Sequence, residues 1–280
     1  DTQARFKYID DFAAAEAVDL SDLKNINHEM ERPLAYRDRT LHQLSNNRGH
    51  LQSTVKDIDQ FCKVQQMTIN QSKTKTIVFN SALSKDFYPR IKNTNDMIYD
   101  NVEEFKLLGV DFVSHQRQGV NWETYIQKCI NSAYSKLWIL KRLLVQGVTI
   151  DDLLLTFISR VRVRLEFNVP LWHFAITKKL SEKIENVQKA CVILILGRLA
   201  TSDYYCNLAM LNLEPLFNRR EKLCNKFARK TYKHCAHRKI FDIIEVWPTR
   251  SNVKVRIPET KTARYAKSAI PNLAKIINSM

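Results

Sequence analysis

Two adjacent carboxylates, Asp10 and Asp11, sit between the apolar runs Phe6-Lys7-Tyr8-Ile9 and Phe12-Ala13-Ala14-Ala15. Aromatic and β-branched strand formers on either side of two turn formers predict a β-hairpin whose bend carries both acids. A bend of this kind projects carboxylate oxygens beyond a sheet, where a hard divalent cation takes oxygen ligands. A pair of acids in one turn holds Mg²⁺ only feebly, because the ion keeps its waters unless phosphates help. On residue types alone, Asp-Asp in a turn is usually just a solvated turn.

A second group of candidates is cationic. Residues 1–116 hold 15 Lys+Arg against 17 Asp+Glu, a net of −2, whereas residues 117–280 hold 29 against 12, a net of +17. So uneven a balance points to a polyanion gripped mainly by the back half. Arg160, Arg162 and Arg164, then Lys178, Lys179 and Lys183, then Arg219, Arg220, Lys222, Lys226, Arg229 and Lys230 could track phosphates. In a helix Lys222, Lys226, Arg229 and Lys230 share a face, Arg160 and Arg164 lie together, and Arg220 falls nearer the buried stripe. For any single cation the plainer alternative is a solvated face. Tyr125, Tyr134, Trp138 and Trp172 could stack on bases, although their places in or beside apolar stripes predict core packing instead. His234-Cys235-Ala236-His237, with Cys224 upstream, lacks paired Cys-x-x-Cys spacing, so zinc is not expected. Nothing in the chain reads as a Gly-rich phosphate loop or a nucleophile elbow.

Four stretches in order carry a family resemblance. Tyr8-Ile9-Asp10-Asp11 resembles the Tyr-x-Asp-Asp box of reverse transcriptases. Leu51 to Cys62 looks like the palm helix that follows it, and Asn70-Gln71-Ser72-Lys73-Thr74 looks like the Asn-x-x-Lys-Thr element after that helix. Phe105-Lys106-Leu107-Leu108-Gly109 looks like the primer-side hairpin. Order and spacing are similar to those of non-long-terminal-repeat retrotransposons, jockey-like elements in particular. The likeness runs on through Trp122, Leu165-Glu166, Pro170-Leu171-Trp172 and Leu213-Glu214-Pro215-Leu216, so it covers most of the chain.

The resemblance implies an RNA-directed DNA polymerase acting by two-metal nucleotidyl transfer, with Mg²⁺ ions about 3.5–4 Å apart. Asp10 would be the metal ligand and Asp11 the supporting acid, since neighbouring side chains on an extended backbone point opposite ways. Lys73 would stand near the triphosphate as a proton donor. Tyr8, Leu108 and Gly109 would approach the nucleic acid, the glycine allowing close backbone contact. The partners implied are an RNA template paired with a DNA primer, and deoxynucleoside triphosphates in the intact enzyme. The second metal-binding aspartate and the fingers would lie upstream of Asp1, so the metal site is incomplete here and this chain alone is not expected to polymerise. Two other functions stay open: a relic that binds nucleic acid without chemistry, and a basic module for a protein or an anionic surface.

The elements that must position these residues follow from the pattern. With 45% hydrophobic residues the chain has enough apolar surface for a core, and only five glycines and seven prolines favour long helices. The expected fold is α+β: the back of a polymerase palm over residues 1–115, an all-α thumb over 116–200, and a helical connector with a basic tail over 201–280. Helices are predicted at Leu51–Cys62, from Trp122 to a stop at Gly147, from a Thr149 cap to Pro170, from Thr177 to Gly197, at Tyr204–Leu211, and from Pro215 to Tyr232. Strands are predicted at 68–70 and 76–79 around the Lys73-Thr74 turn, at 91–98, and at 105–112 with Gly109 breaking the last. The tail after Val246 reads as loosely packed. Six scattered cysteines without a signal peptide predict no disulfide partner, and no apolar run is long enough for a membrane span. An intracellular setting, cytoplasmic and nuclear, is the matching expectation for a mobile element's ribonucleoprotein.

Overall fold

The computed structural model describes residues 49–79, 90–92, 95–115, 119–234, 241, 254–260 and 262–280. It is a mixed α+β chain that divides into two compact units, Asp1–Asn121 and Trp122–Met280.

In the first unit, α1 (Gly49–Val64) carries the predicted helical period, with Cys62 buried. Gln52 on this helix mimics a strand: its amide accepts from the Lys92 backbone N–H at 2.9 Å and donates to the Lys92 carbonyl at 2.6 Å. Residues 68–70 are not a strand. Asn70 instead organises a turn, its side-chain oxygen accepting from the Lys73 N–H at 3.2 Å and from the Ser72 hydroxyl at 2.7 Å. An asparagine bonding the backbone ahead of it competes with ladder pairing, and here it wins.

The expected 76–79 strand shrinks to β1 (Lys75–Thr76), which pairs in parallel with β2 (Asp100–Asn101). The 91–98 strand is reduced to one antiparallel bridge between Lys92 and Ile98. The last strand is two: β3 (Glu104–Leu107) and β4 (Val110–His115) form an antiparallel hairpin, extended by β5 (Gly119–Val120). Leu107 faces Val110, so Leu108 and Gly109 are the two turn residues, with φ of 48° and 82°. Positive φ at both positions is the signature of a tight hairpin turn matched to strand twist.

The named elements of the second unit are all helical. The helix expected to run from Trp122 to Gly147 is two, α2 (Trp122–Tyr134) and α3 (Leu137–Val145). Ser135 sits at the break, and its hydroxyl bonds the Ser132 carbonyl at 2.8 Å, a local bond that competes with helix continuation. Thr149 caps α4 (Ile150–Thr156) by accepting from the Asp152 N–H at 3.3 Å, with Asp151 and Asp152 in the favourable first turn. A π-helical stretch, Phe157–Arg162, joins it to α5 (Val163–Glu166). Buried Leu153, Phe157, Val161 and Leu165 recur every fourth residue, a spacing that the wider turn keeps facing inward.

Pro170 does not end this helix, as expected from sequence. The chain turns earlier, at extended Phe167 and left-handed Asn168, and Pro170 lies in the first turn of α6 (Val169–Trp172), where its missing N–H costs little.

The long α7 (Lys178–Leu196) starts at a Thr177 cap and stops at Gly197, with φ of 53°, and buries Leu180, Ile184, Val187, Cys191 and Ile195. Helices α2, α3, α8 (Tyr204–Met210) and α9 (Leu216–Lys233) all pack on it. The tail is better packed than expected. After α10 (Ala263–Ala266), α11 (Ala269–Asn278) lies against α9, where Leu273, Ala274 and Ile277 meet Ala228, Phe241 and Val255. Asn278 fastens residues 254 and 255, accepting from both N–H groups at 2.9 and 3.0 Å and donating to the Val255 carbonyl at 2.9 Å.

Candidate nucleic-acid interface

Tyr8, Asp10 and Asp11 lie outside the described residues. Among the described residues no cluster of three His, Cys, Asp or Glu is placed to hold a metal ion.

Lys73 is exposed in the Asn70 turn. Its neighbour Lys75 is committed elsewhere, to Asp100 at 2.6 Å across the β1–β2 pair. Of the two lysines in the Asn-x-x-Lys-Thr stretch, Lys73 therefore keeps the ammonium presented at the turn. Leu108 stands at the hairpin tip with 71% of its surface exposed, in the left-handed region that a leucine rarely adopts. A large apolar side chain is held in a strained backbone and offered to solvent.

In the second unit the cations divide into two sets. The first is structural. Arg219 donates from Nε and Nη2 to the two carboxylate oxygens of Glu166, the second bond at 3.0 Å, and its Nη1 lies 3.7 Å from Glu214. Arg162 approaches the same Glu166 at 3.7 Å, and Lys222 donates to Glu214. The hydrogen bond to Glu166 holds the Arg219 guanidinium above its ordinary range. Arg220, 1% exposed, donates from Nε to His173 Nδ1 at 3.4 Å and from Nη2 to the Ser181 hydroxyl. Its guanidinium lies over the rings of Trp172 and Phe217, and its Nη1 has no hydrogen-bond partner. Burial lowers the Arg220 pKa, and burial together with Arg220 brings His173 down to about 4.

The second set faces water. Lys226, Arg229 and Lys230 are exposed on α9 as the helical phase predicts, and Lys233 joins them one turn on. With His234 they line an open hollow of about 450 Å³. From Lys222 to Lys233 the stripe is about 16 Å long, eleven residues at the helical rise. Lys222 belongs to both sets, since it is 70% exposed although paired with Glu214. Arg160 and Arg164 are also exposed, one turn apart. The stripe offers four or five cations to a polyanion at helical-turn intervals, and it carries no acidic side chain between Lys222 and Lys233.

The aromatic expectations split. Tyr125 and Trp172 are core residues, 2% and 1% exposed, and Trp172 donates to the Phe167 carbonyl at 3.0 Å. Tyr134 and Trp138 were expected in the core but are 42% and 61% exposed. Both flank the α2–α3 break, beside the buried stripe of Ile126, Ile130, Ala133 and Leu140 rather than in it. The described cysteines, Cys62, Cys129, Cys191, Cys206 and Cys224, are not joined in disulfides, and burial pushes Cys191 and Cys224 up to about 12. Among the described residues no helix is long and apolar enough to cross a membrane.

No family model, curated protein or solved structure matches this chain.

Proposed function

We propose that this chain is the carboxyl-terminal part of a non-long-terminal-repeat retrotransposon reverse transcriptase, and that its helical unit grips an RNA–DNA hybrid by the phosphate backbone. The observation that carries the gripping is the α9 stripe of Lys222, Lys226, Arg229, Lys230 and Lys233, exposed and free of intervening acids. A hybrid close to A-form is recognised through shape and phosphates rather than base edges, which suits a row of flexible cations. Arg160 and Arg164 add to the same field.

The enzymatic part of the reading rests on the ordered motifs from Tyr8 to Gly109. Residues 1–115 act as the back of the palm, 116–200 as the thumb and 201–280 as the connector. Exposed Lys73 and the strained Leu108-Gly109 tip support roles beside the triphosphate and the primer. Asp10, with Asp11 beside it, would hold Mg²⁺ together with an aspartate from another palm strand. The chemistry such ions would supply is activation of the primer hydroxyl and neutralisation of the leaving pyrophosphate.

The test has two arms. Binding of a labelled RNA–DNA hybrid to the full chain is followed from 50 to 200 mM salt, where several phosphate contacts cost a decade or more in affinity. A flat response overturns the gripping. In a chain joined to fingers and a first palm strand, Asp10→Ala should abolish primer extension and spare hybrid binding. Extension that survives this change overturns the catalytic assignment, while binding without any extension marks a nucleic-acid-binding relic.

A further inference from the structure

The seam between α2 and α7 holds a site that the cationic stripe does not include. On α2, Gln127, Ile130 and Tyr134 succeed one another at three- and four-residue spacing, so they share one face. On α7, Lys183 and Asn186 do the same, and the two helices pack together. These five residues line an open hollow of about 170 Å³. Ile130, 3% exposed, gives it an apolar floor, and Tyr134 gives it a half-exposed aromatic ring. Two carboxamides, Gln127 and Asn186, and one ammonium, Lys183, complete the lining. The Gln127 amide is already oriented: its Nε2 donates to Asn131 Oδ1 at 3.0 Å, and its Oε1 accepts from Lys183 Nζ at 3.4 Å.

We propose that this hollow takes one unpaired nucleobase of a single strand leaving the hybrid, stacked on Tyr134, with the carboxamides of Gln127 and Asn186 at its edge and Lys183 on the adjoining phosphate. The chemistry of the lining selects this ligand. A planar π-face calls for an aromatic ring, and every base offers one. A base edge carries donors and acceptors side by side, as a carboxamide does, so Gln and Asn complement it. The hollow has room for a single base and not for a pair, which excludes the duplex itself. The surrounding field is positive: residues 122–280 carry 28 Lys+Arg against 12 Asp+Glu. The proposal rests on the reading that this unit binds nucleic acid, and it adds a discrimination that backbone contacts alone do not provide.

The full chain is titrated with a blunt RNA–DNA hybrid and with the same hybrid bearing a short 5′ RNA overhang whose first unpaired base is 2-aminopurine. The overhang should raise affinity roughly tenfold, and stacking should quench the 2-aminopurine emission. Tyr134→Ala should erase both effects and leave blunt-hybrid affinity and its salt slope unchanged. Tyr134→Phe, which keeps the ring, should retain them. Lys183→Ala should lower the salt slope for the overhang substrate by about 0.7, the value for one single-strand phosphate. Equal binding of the two hybrids, or an equal loss of both with Tyr134→Ala, overturns the base site and leaves the gripping reading intact. Absence of binding to either hybrid at 50 mM salt removes the gripping reading, and the base site with it.

Discussion

Arg219 meets both carboxylate oxygens of Glu166, fifty-three residues earlier in the chain, in a two-point ion pair. A fork-to-fork pair fixes orientation as well as distance, so it locks α5 to the start of α9. An arginine held this way is withdrawn from phosphate binding. Arg219→Lys keeps the charge but loses the fork, and should cost roughly 2 kcal/mol of unfolding free energy. Urea denaturation reads the cost, and hybrid affinity measured on the folded protein should hardly move.

The exposed cations should behave in the opposite way. Lys226→Ala, Arg229→Ala and Lys230→Ala combined should leave the unfolding free energy within about 0.5 kcal/mol of the parent. The slope of log affinity against log salt should fall by roughly 2 to 3, about 0.9 for each duplex phosphate given up. A fluorescence anisotropy titration at four salt concentrations measures it.

Acid should weaken the helical unit through His173. Its folded pKa of about 4 lies below the ordinary 6.5, because burial and the neighbouring Arg220 oppose a second cation. The unfolded chain therefore binds the proton first. The stability this contributes is complete above pH 6.5 and is lost as pH falls towards 4, by roughly 3 kcal/mol if the whole window is crossed. His173→Gln keeps an acceptor for Arg220 Nε and cannot titrate. The difference in urea midpoint between variant and parent, followed from pH 7 to pH 4, should drift in the variant's favour.

At the hairpin tip, Gly109→Ala places a Cβ at a φ of 82° and should cost about 1 kcal/mol or more in the first unit. Leu108→Asn should do the reverse, because asparagine tolerates the left-handed region that Leu108 occupies. If Leu108 touches primer, the Asn variant is more stable yet extends primer less well once joined to fingers. Thermal melts and extension assays on one protein preparation separate the two effects.

Much of the helical unit was legible beforehand because its signals are local and redundant. Thr177 and Gly197 bracket α7 by cap chemistry alone, and the stripe from Leu180 to Ile195 repeats a single period. Arg220 was correctly assigned towards the buried side, since phase needs only the helix and its apolar face. What escaped depended on competition or on distant partners. The Ser135 hydroxyl contests a helix that periodicity alone would continue. That Arg219 serves Glu166 rather than a phosphate is invisible until α5 and α9 are neighbours. The basic tail after Val246 reads as loosely packed, yet it holds α11, whose Pro271 falls in the first turn, where a proline is tolerated. Of the candidate site, the α9 stripe could be read from phase, but the hollow between α2 and α7 could not, because its two walls lie about fifty residues apart.

The apolar side of α11 is braced against the back of the helix whose front carries Lys226, Arg229 and Lys230. Deleting residues 269–280 would strip that brace, uncover Ala228 and leave Val255 without its Asn278 clasp. The row of ammonium and guanidinium groups would then ride on a rod free to bend. If α9 grips a polyanion as proposed, that deletion should weaken the grip without removing a single contacting side chain.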